Sequence, residues 1–261
     1  MPNSTYAKHP SGKLGITFTE ADHRYADDFG IDYTSATTLI HAAFAPFDAM
    51  AAATAKAART GIPAEQYLRE WDGIRSAAST EGTRTHENCE RQILGRYAEM
   101  HQPRHDDEKL RFRAAWYAVE SLEKYYRHIE PEKLVFTPRF RVAGSIDLFC
   151  KIDDLHYDLG DWKFVKEIRR QSFGGRNGIH PATVMLPDCN FYHYALQLNI
   201  YKLIARIEGY IPAAASVRHF LLRYDRETHA FERIDLPDLS LQAMMLIAWN
   251  VTNDGLEYVP F

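Results

Sequence analysis

Two apolar runs separated by a short polar turn stand near the middle of the chain. They cover residues 146–152 and 156–165, with two aspartates between them. Runs of this length on either side of such a turn predict adjacent strands of one hairpin. Each run carries an acidic residue, Asp147 or Asp161, where a core strand normally has none. Because burial of an unpaired carboxylate costs several kcal/mol, we expect a cation or a donor beside each one.

Before this hairpin, the pattern predicts a smaller hairpin and then a series of helices. Residues 1–14 are polar, and we expect them to be loosely held. Short runs at 16–19 and 23–25 predict the two strands of the smaller hairpin. Apolar residues at helical spacing then predict helices over about 38–41, 46–60, 63–74, 79–94 and 107–128, with Gly61 and Pro131 as stops.

The region from residue 130 onward alternates between strand and helix patterns. Its predicted elements are strands at 134–136 and 140–142, the central hairpin, a polar stretch at 166–190, a helix at 191–207, strands at 217–224 and 230–234, and a helix at 239–249. This order predicts an α/β fold in which a mixed central sheet is flanked by helices. We expect an N-terminal hairpin and helical part over residues 1–78, packed on a core over residues 79–261 as one continuous compact unit.

Composition narrows the class of protein without naming a function. The 261 residues are 46% hydrophobic and 25% charged, which is typical of a soluble globular protein. The net charge of -4 argues against a general coating of nucleic acid but allows a local basic groove. The chain has neither an apolar run long enough to span a membrane nor a signal-peptide pattern. We therefore expect a cytoplasmic protein with no membrane partner.

The acidic residues of the central hairpin point to a metal site. Lys163 follows Asp161 by two residues, so both side chains lie on one face of a strand. Two carboxylates and a lysine on one face suit a hard divalent cation beside a fixed positive charge. Such a site favours hydrolysis of a phosphate ester. The alternative is a solvated hairpin with two surface acids.

Further motifs lie before, within and after the hairpin. They are Gly82-Thr83-x-x-His86-x-x-x-Glu90, Gly144 three residues before Asp147, Asp161-Trp162-Lys163, and Gln197-x-x-x-Tyr201. Over about residues 79–204, this set resembles the PD-(D/E)xK nuclease superfamily and, within it, the RecB-like exonuclease branch. The resemblance implies a restriction-endonuclease-like core. Small standalone members of this branch act in phages and in mitochondrial genome maintenance, in DNA repair and recombination.

The resemblance also implies a set of ligands for Mg²⁺ or Mn²⁺. The carboxylates of Asp147 and Asp161 and the backbone carbonyl of Trp162 would hold the ion, and Lys163 would orient the attacking water. In similar nucleases the histidine at the position of His86 binds the metal or lies beside it, and a nitrogen ligand favours manganese. A histidine on a half-buried helix is otherwise more often structural.

The remaining motif residues have supporting or substrate-binding roles by the same resemblance. Glu90 would support His86 or the metal. Gln197 and Tyr201 would point at the catalytic centre or the DNA backbone, although on their own they describe a polar helix edge. A basic stretch close to the site could bind phosphates, or be an ordinary basic loop: Lys166, Arg169, Arg170 and Arg176.

Two other metal sites are disfavoured by the sequence. The segment His86-Glu87-x-x-Glu90 lacks the second histidine of a zinc-peptidase helix. Some relatives in the RecB-like branch carry an iron–sulphur cluster on four cysteines, whereas this chain has three, without a CxxC pair, at Cys89, Cys150 and Cys189. We expect no iron–sulphur cluster.

The sequence thus predicts a metal-dependent DNA exonuclease acting on single-stranded DNA or duplex ends. A structure-specific endonuclease of the same superfamily and a DNA-binding or assembly module that no longer cleaves are the alternatives. The chain lacks a GxxxxGK[ST] motif, so any helicase motor would belong to a separate helicase, recombination or replication partner.

Overall fold

The mixed sheet is the element around which the other parts of the protein are arranged. The structure is a computed structural model that describes residues 4–253, without the side chains of residues 77, 78, 252 and 253. Residues 1–3 and 254–261 of the two predicted parts lie outside the described residues. Within the described range, nine strands form one sheet: β1 Ser4–Lys8, β2 Gly15–Thr19, β3 Arg24–Asp27, β4 Asp32–Ser35, β5 His128–Thr137, β6 Val142–Lys151, β7 His156–Lys163, β8 Ser216–Asp225 and β9 Ala230–Asp235.

Helices flank this sheet and complete the predicted α/β fold. They are α1 Ala36–Ala42, α2 Ala49–Thr60, α3 Ala64–Ile93, α4 Asp106–Tyr125, α5 Asn190–Ile207 and α6 Ser240–Asn253, with single 3₁₀ turns at Tyr97–Glu99 and Phe173–Gly175. The strand order is β1-β2-β3-β4-β6-β7-β8-β9, and β5 pairs with β6. Two of the pairings, β4 with β6 and β7 with β8, are parallel, so the sheet is mixed as predicted. No helix within residues 4–253 is both long and apolar enough to cross a membrane.

Of the three apolar cores among the described residues, the two larger ones are separated by the sheet. On one face, α1, α5 and α6 pack against strand residues that include Ile146, Phe149 and Leu221; we call this the α5 core. On the other face, α3 and α4 pack against Leu148 and Phe220, among others, in what we call the α4 core. Leu221 and Phe220 are neighbours on β8, so their membership of different cores follows the ordinary alternation of a strand.

This alternation breaks on β6, where the central hairpin carries its first acid. Residues two apart in a regular strand face the same side. Ile146, however, belongs to the α5 core and Leu148 to the α4 core. The facing residue on β5, Glu132, has a left-handed backbone with φ of 49°. Asp147 therefore lies at a change of face rather than within a regular ladder.

The sequence pattern predicts two helices where the structure has the single helix α3. The predicted helices from about 63 and 79 are joined without a break, and Gly73 and Gly82 lie inside α3. A glycine costs a helix interior about 1 kcal/mol relative to alanine, which does not break a helix that contains no proline. The predicted break is therefore wrong.

The predicted end of the helix at Pro131 is also wrong. α4 ends at Tyr125, and Pro131 lies inside β5, which begins before the predicted strand at 134–136. β5 pairs with β6 alone among the described strands. Because proline lacks a backbone N–H, such an edge strand is where it is tolerated.

Three shorter segments also depart from the predictions. Ser4–Lys8, predicted to be loose, pairs with β2 as β1. Asp32–Ser35, for which no strand was predicted, forms β4. The predicted strand at 140–142 is wrong because Arg141 lies in the turn before β6, with φ of 51°. The first two strands are mostly polar, so their sequences have no strand pattern. In the third segment, the turn separates Phe140 from the strand that follows.

A close contact between Gly144 and Tyr201 joins β6 to α5. A Cβ atom at Gly144 would lie 2.3 Å from Cε1 of Tyr201. The Tyr201 ring is buried in the α5 core and cannot move aside. Gly144 is thus required by the packing of the helix on the strand.

We expect Gly144→Ala to lower the free energy of unfolding by about 1–3 kcal/mol, because the new methyl group clashes with the Tyr201 ring. Urea unfolding of this variant measures the loss. In a Tyr201→Leu background the same substitution costs less, since the ring is gone. Gly73→Ala is the control: its Cβ meets nothing within 4 Å, and it stabilises α3 slightly. An equal cost of Gly144→Ala in both backgrounds contradicts the contact.

The buried His219 predicts acid sensitivity of the fold. Burial, followed by the charge of Lys202, lowers the pKa of His219 to about 4. Its side chain lies on β8 at 4% exposure, and Nε2 has no hydrogen-bond partner in the described part of the chain. Unfolding restores a pKa near 6.5, so the unfolded chain binds the proton more readily.

We expect the stability contributed by neutral His219 to be complete above about pH 6.5 and to fall, by about 3 kcal/mol in all, as the pH drops to 4. Urea unfolding between pH 7 and 4 measures it as the difference between the wild type and His219→Gln. The glutamine does not titrate, so the difference shrinks on acidification. A difference that is constant with pH would show that His219 does not carry this effect.

Candidate metal centre

Three side chains that could bind a metal, each from a different helix or strand, converge where β6 and β7 separate. His86 comes from α3, Glu132 from β5 and Asp147 from β6, and one nitrogen or oxygen atom of each lies within 4.8 Å of the others. Imidazole nitrogen and carboxylate oxygen are donors that suit Mn²⁺, and the oxygens suit Mg²⁺. The donor set is therefore chemically suited to a divalent cation.

The spacing of these atoms also fits neighbouring ligands of one ion. His86 Nε2 lies 3.1 Å from Glu132 Oε1 and 3.1 Å from Asp147 Oδ2. In an octahedral site with metal–ligand distances of about 2.1 Å, adjacent ligands are about 3.0 Å apart. The second oxygen of Glu132 accepts a hydrogen bond of 2.6 Å from Ser145 Oγ, which fixes the orientation of its carboxylate.

Glu132 is the member of this group that the sequence analysis missed. It precedes the apolar run of β5 and follows Pro131, so its neighbourhood does not have a strand pattern. A left-handed backbone is costly for a residue with a Cβ atom and is concentrated at functional sites. The sequence gives no indication of that conformation. An acidic residue next to a proline is the only feature that could have pointed to Glu132.

Asp161 and Lys163 lie next to this group at the end of β7. Their side chains form an ion pair, and Lys163 Nζ also lies 4.4 Å from the centroid of the Tyr194 ring. Asp161 is 4% exposed, yet its Oδ2 receives no hydrogen bond of acceptable geometry from any described residue. The Asp161 carboxylate thus contacts the Lys163 ammonium group and lies close to the Asp147 carboxylate. A carboxylate oxygen has two lone pairs, so it retains acceptor capacity for a cation.

Trp162 connects the two strands through its backbone. Its N–H donates to Asp147 Oδ2 at 3.1 Å, at the point where the backbone pairing of β6 and β7 has ended at Leu148 and Gly160. The indole packs in the α4 core. The role of the Trp162 carbonyl as a ligand stays a prediction.

The pKa values of the cations reflect an excess of acidic groups. Burial alone would lower the pKa of His86, but the charge of Asp147 and a hydrogen bond to it, with Glu132, raise it to about 10. Burial would also lower the pKa of Lys163, and the charges of Asp161 and Asp147 raise it instead. Both groups are thus cationic at neutral pH without a metal, and His86 would have to release its proton in order to bind one.

The three acids respond differently to the same surroundings. Burial would raise the pKa of Asp147, yet the charge and hydrogen bond of His86 hold it far below the usual value. Burial and then the charge of Asp147 raise the pKa of Asp161 and of Glu132. Three carboxylates share two cations here, so the ionised centre carries one surplus negative charge, which a divalent ion would offset.

The other predicted motif residues lie around the centre. Glu90 is on α3, one turn beyond His86, and its charge raises the pKa of Glu132. Gln197 Nε2 donates to Tyr201 Oη at 3.1 Å on α5. Tyr201 is 3% exposed, so packing against Gly144 is its observed contact. Direct contacts of this pair with DNA stay a prediction.

The predicted basic residues are not gathered in one place. Lys166 lines a cavity that also contains His86 and Lys163. The cavity lining does not include the other three, whose contacts are elsewhere: Arg169 with Glu167 at 3.0 Å, Arg170 over the Phe191 ring at 4.1 Å, and Arg176 with Asp188 at 3.6 Å.

Comparisons with known proteins leave the family of this chain open. No family model matches the sequence, and no curated protein matches it. The crystal structure of a "Putative exonuclease" from Eubacterium rectale is similar over 66% of this chain and 65% of that one, with 11% sequence identity and a TM-score of 0.43. This chain thus spans less than two thirds of that protein. A likeness of this size assigns neither fold nor function.

We expect the protein to bind Mn²⁺, and Glu132→Gln and Asp147→Asn each to weaken the affinity at least tenfold, because each removes a charged ligand. Isothermal titration calorimetry measures the dissociation constants. Glu130→Gln is a matched control, since Glu130 is also on β5 but pairs with Lys133 at 2.8 Å. Unchanged affinity in Glu132→Gln would remove Glu132 from the ligand set.

Proposed function

We propose that this protein is a metal-dependent deoxyribonuclease, and specifically an exonuclease that hydrolyses DNA phosphodiester bonds with water as the nucleophile. The observation that carries the proposal is the convergence of His86, Glu132 and Asp147 beside the Asp161–Lys163 pair. The choice of DNA rests on the sequence motifs.

The residues present fit Mg²⁺ or Mn²⁺. Asp147, Glu132 and His86 would hold the ion, and Asp161 offers a further buried carboxylate beside them, paired with Lys163. A bound divalent cation lowers the pKa of a coordinated water and offsets the negative charge that builds up on the phosphate. The imidazole of His86 makes Mn²⁺ as suitable as Mg²⁺.

Lys163 supplies the fixed positive charge of the proposed reaction. Asp161 and the Tyr194 ring hold its ammonium group between them. From there Lys163 orients the attacking water and stabilises the anion as the phosphate is attacked. Asp147 also connects the two strands: the Trp162 N–H donates a hydrogen bond to its carboxylate and fixes it between them.

We expect Asp161→Ala and Lys163→Ala each to reduce cleavage at least a hundredfold, because each removes a charge that acts on the reacting phosphate. The assay uses end-labelled single-stranded, duplex and circular DNA with Mg²⁺, Mn²⁺ or EDTA. Asp153→Ala and Lys151→Ala are matched controls: both residues lie at the other end of the same hairpin, paired with His156 and Asp154. These controls retain activity.

Other outcomes of this assay would point to a different function. Circular DNA cut as fast as linear DNA would indicate an endonuclease. No cleavage by the wild type, with DNA binding retained, would indicate a DNA-binding or assembly module. Cleavage that persists in EDTA would contradict the metal dependence.

A further inference from the structure

A cavity of about 1210 Å³ opens from the candidate metal centre. His86 and Lys163, which lie at the metal centre, also line this cavity. α3 lines one side of it from Ile74 onward, and the turn between β8 and β9 lines another. Pockets for single small molecules occupy about 300–1,000 Å³, so this cavity has room for a larger ligand than one small molecule.

One wall of the cavity presents an aromatic ring that is fixed in place. Phe164 follows β7 directly, and its ring lies edge-on to Phe231, with ring centroids 5.8 Å apart. On α3, a Cβ atom at Gly82 would lie 3.3 Å from this ring. Because Gly82 has no side chain, α3 packs close to Phe164. The ring is half-buried against the α4 core and held from two sides, and its remaining surface lines the cavity.

Lys166 differs from the other cations of the cavity in having no acidic partner. The three arginines of the lining are each paired: Arg75 with Asp72, Arg223 with Asp225 and Glu232, and Arg226 with Glu81. For the exposed Lys166 side chain, no carboxylate of the described residues lies within ion-pair distance, and its carbonyl is anchored by Arg223 Nη1 at 2.9 Å. Lys166 is thus available to an anion.

The acids of the metal centre make the two sides of that centre unequal. The charge of Glu90 raises the pKa of Glu132, so these two acids are close to each other, and neither lines the cavity. The lining has three acids of its own, Glu81, Asp225 and Glu227, against five lysines and arginines. A phosphate chain is therefore attracted by the net positive charge of the lining and repelled by Glu132 and Glu90, which directs a polynucleotide at the metal centre into the cavity.

The combination of ring and cation distinguishes an unpaired strand from a duplex. In a duplex the faces of the bases are stacked on one another, so an aromatic side chain finds only backbone and groove edges. An unpaired strand offers both a phosphate and a free base face, and proteins that bind single strands combine basic residues for the backbone with aromatic side chains on which bases stack. Phe164 and Lys166 match these two groups.

We propose that this cavity binds an unpaired polynucleotide strand next to the phosphate to be cleaved, with a base against Phe164 and a phosphate at Lys166. The inference rests on the proposed nuclease function and names the form of its substrate. Its chemistry is shared by single-stranded DNA and RNA, so both are tested.

Fluorescence anisotropy in EDTA measures binding without cleavage, with a labelled 20-nucleotide oligo-dT, the matching oligo-rU and a 20-base-pair DNA duplex as probes. Phe164→Leu keeps apolar packing but removes the ring. We expect it to raise the Kd for the single strands roughly fivefold or more, and the Kd for the duplex little. Phe173→Leu is the matched control, because Phe173 is 82% exposed and outside the cavity lining.

The salt dependence tests the phosphate contact separately. Each phosphate neutralised on a single strand contributes about 0.7 to the slope of log K against log salt. We expect Lys166→Ala to reduce that slope by about this amount, and Lys124→Ala, an exposed lysine of α4, to leave it unchanged. Both variants alter the net charge equally, so a difference between them is local.

Two results would overturn the inference: single-strand binding unaffected by both Phe164→Leu and Lys166→Ala, or a duplex bound as tightly as the single strands and equally weakened by Phe164→Leu. A stronger effect on oligo-dT than on oligo-rU would support a DNA substrate at this cavity.

Because the binding assay contains no metal, it is independent of the cleavage assay. Failure here with intact cleavage rejects the cavity alone, and single-strand binding without cleavage rejects the nuclease alone.

Discussion

The central constraint on this structure is the point where β6 and β7 part. Beyond Leu148 and Gly160 the strands no longer pair, and the Trp162 N–H has no backbone acceptor on β6. An unpaired buried N–H is costly, and Asp147 satisfies it with a carboxylate oxygen. The same separation allows the side chain of Asp147 to lie between the two faces of the sheet. A charged group in such a place then requires a cation, and α3 supplies one through His86.

Charge balance explains why so many elements meet at this point. Each ion pair in a buried site recovers only part of the cost of removing two charges from water. Here Glu132 and Asp147 share His86 at equal distance, and Lys163 pairs with Asp161, so three acids have two cations between them. The surplus of negative charge raises the pKa of Glu132 and of Asp161, while hydrogen bonds from Ser145 and Trp162 stabilise the carboxylates of Glu132 and Asp147. A site arranged in this way gains more from a divalent cation than from any single side chain.

Sequence reasoning succeeded where the periodic signal is strong and local. The central hairpin and α5 have long apolar patterns with clear ends, and Gly61 ends α2 in the left-handed conformation expected of a helix stop. It failed at Glu132, because a left-handed residue beside Pro131 belongs to no simple period. It also failed at Pro131 itself, since tolerance of proline depends on which edge of a strand is unpaired. Such information lies in the tertiary arrangement and not in the local sequence.

The cavity and the metal centre share Lys163, and this links binding to chemistry. Its ammonium group is largely shielded, with Asp161 on one side and the Tyr194 ring on another, and it still lines the cavity. In the proposed function, a strand that fills the cavity would exclude water from the exposed part of Lys163. Because attraction between charges grows as water is excluded, the contacts of Lys163 with Asp161 and with a bound phosphate would both strengthen. A ligand that fits the cavity would therefore increase the proposed electrostatic stabilisation of the phosphate, whereas a ligand too wide to enter would leave Lys163 in contact with solvent and less effective.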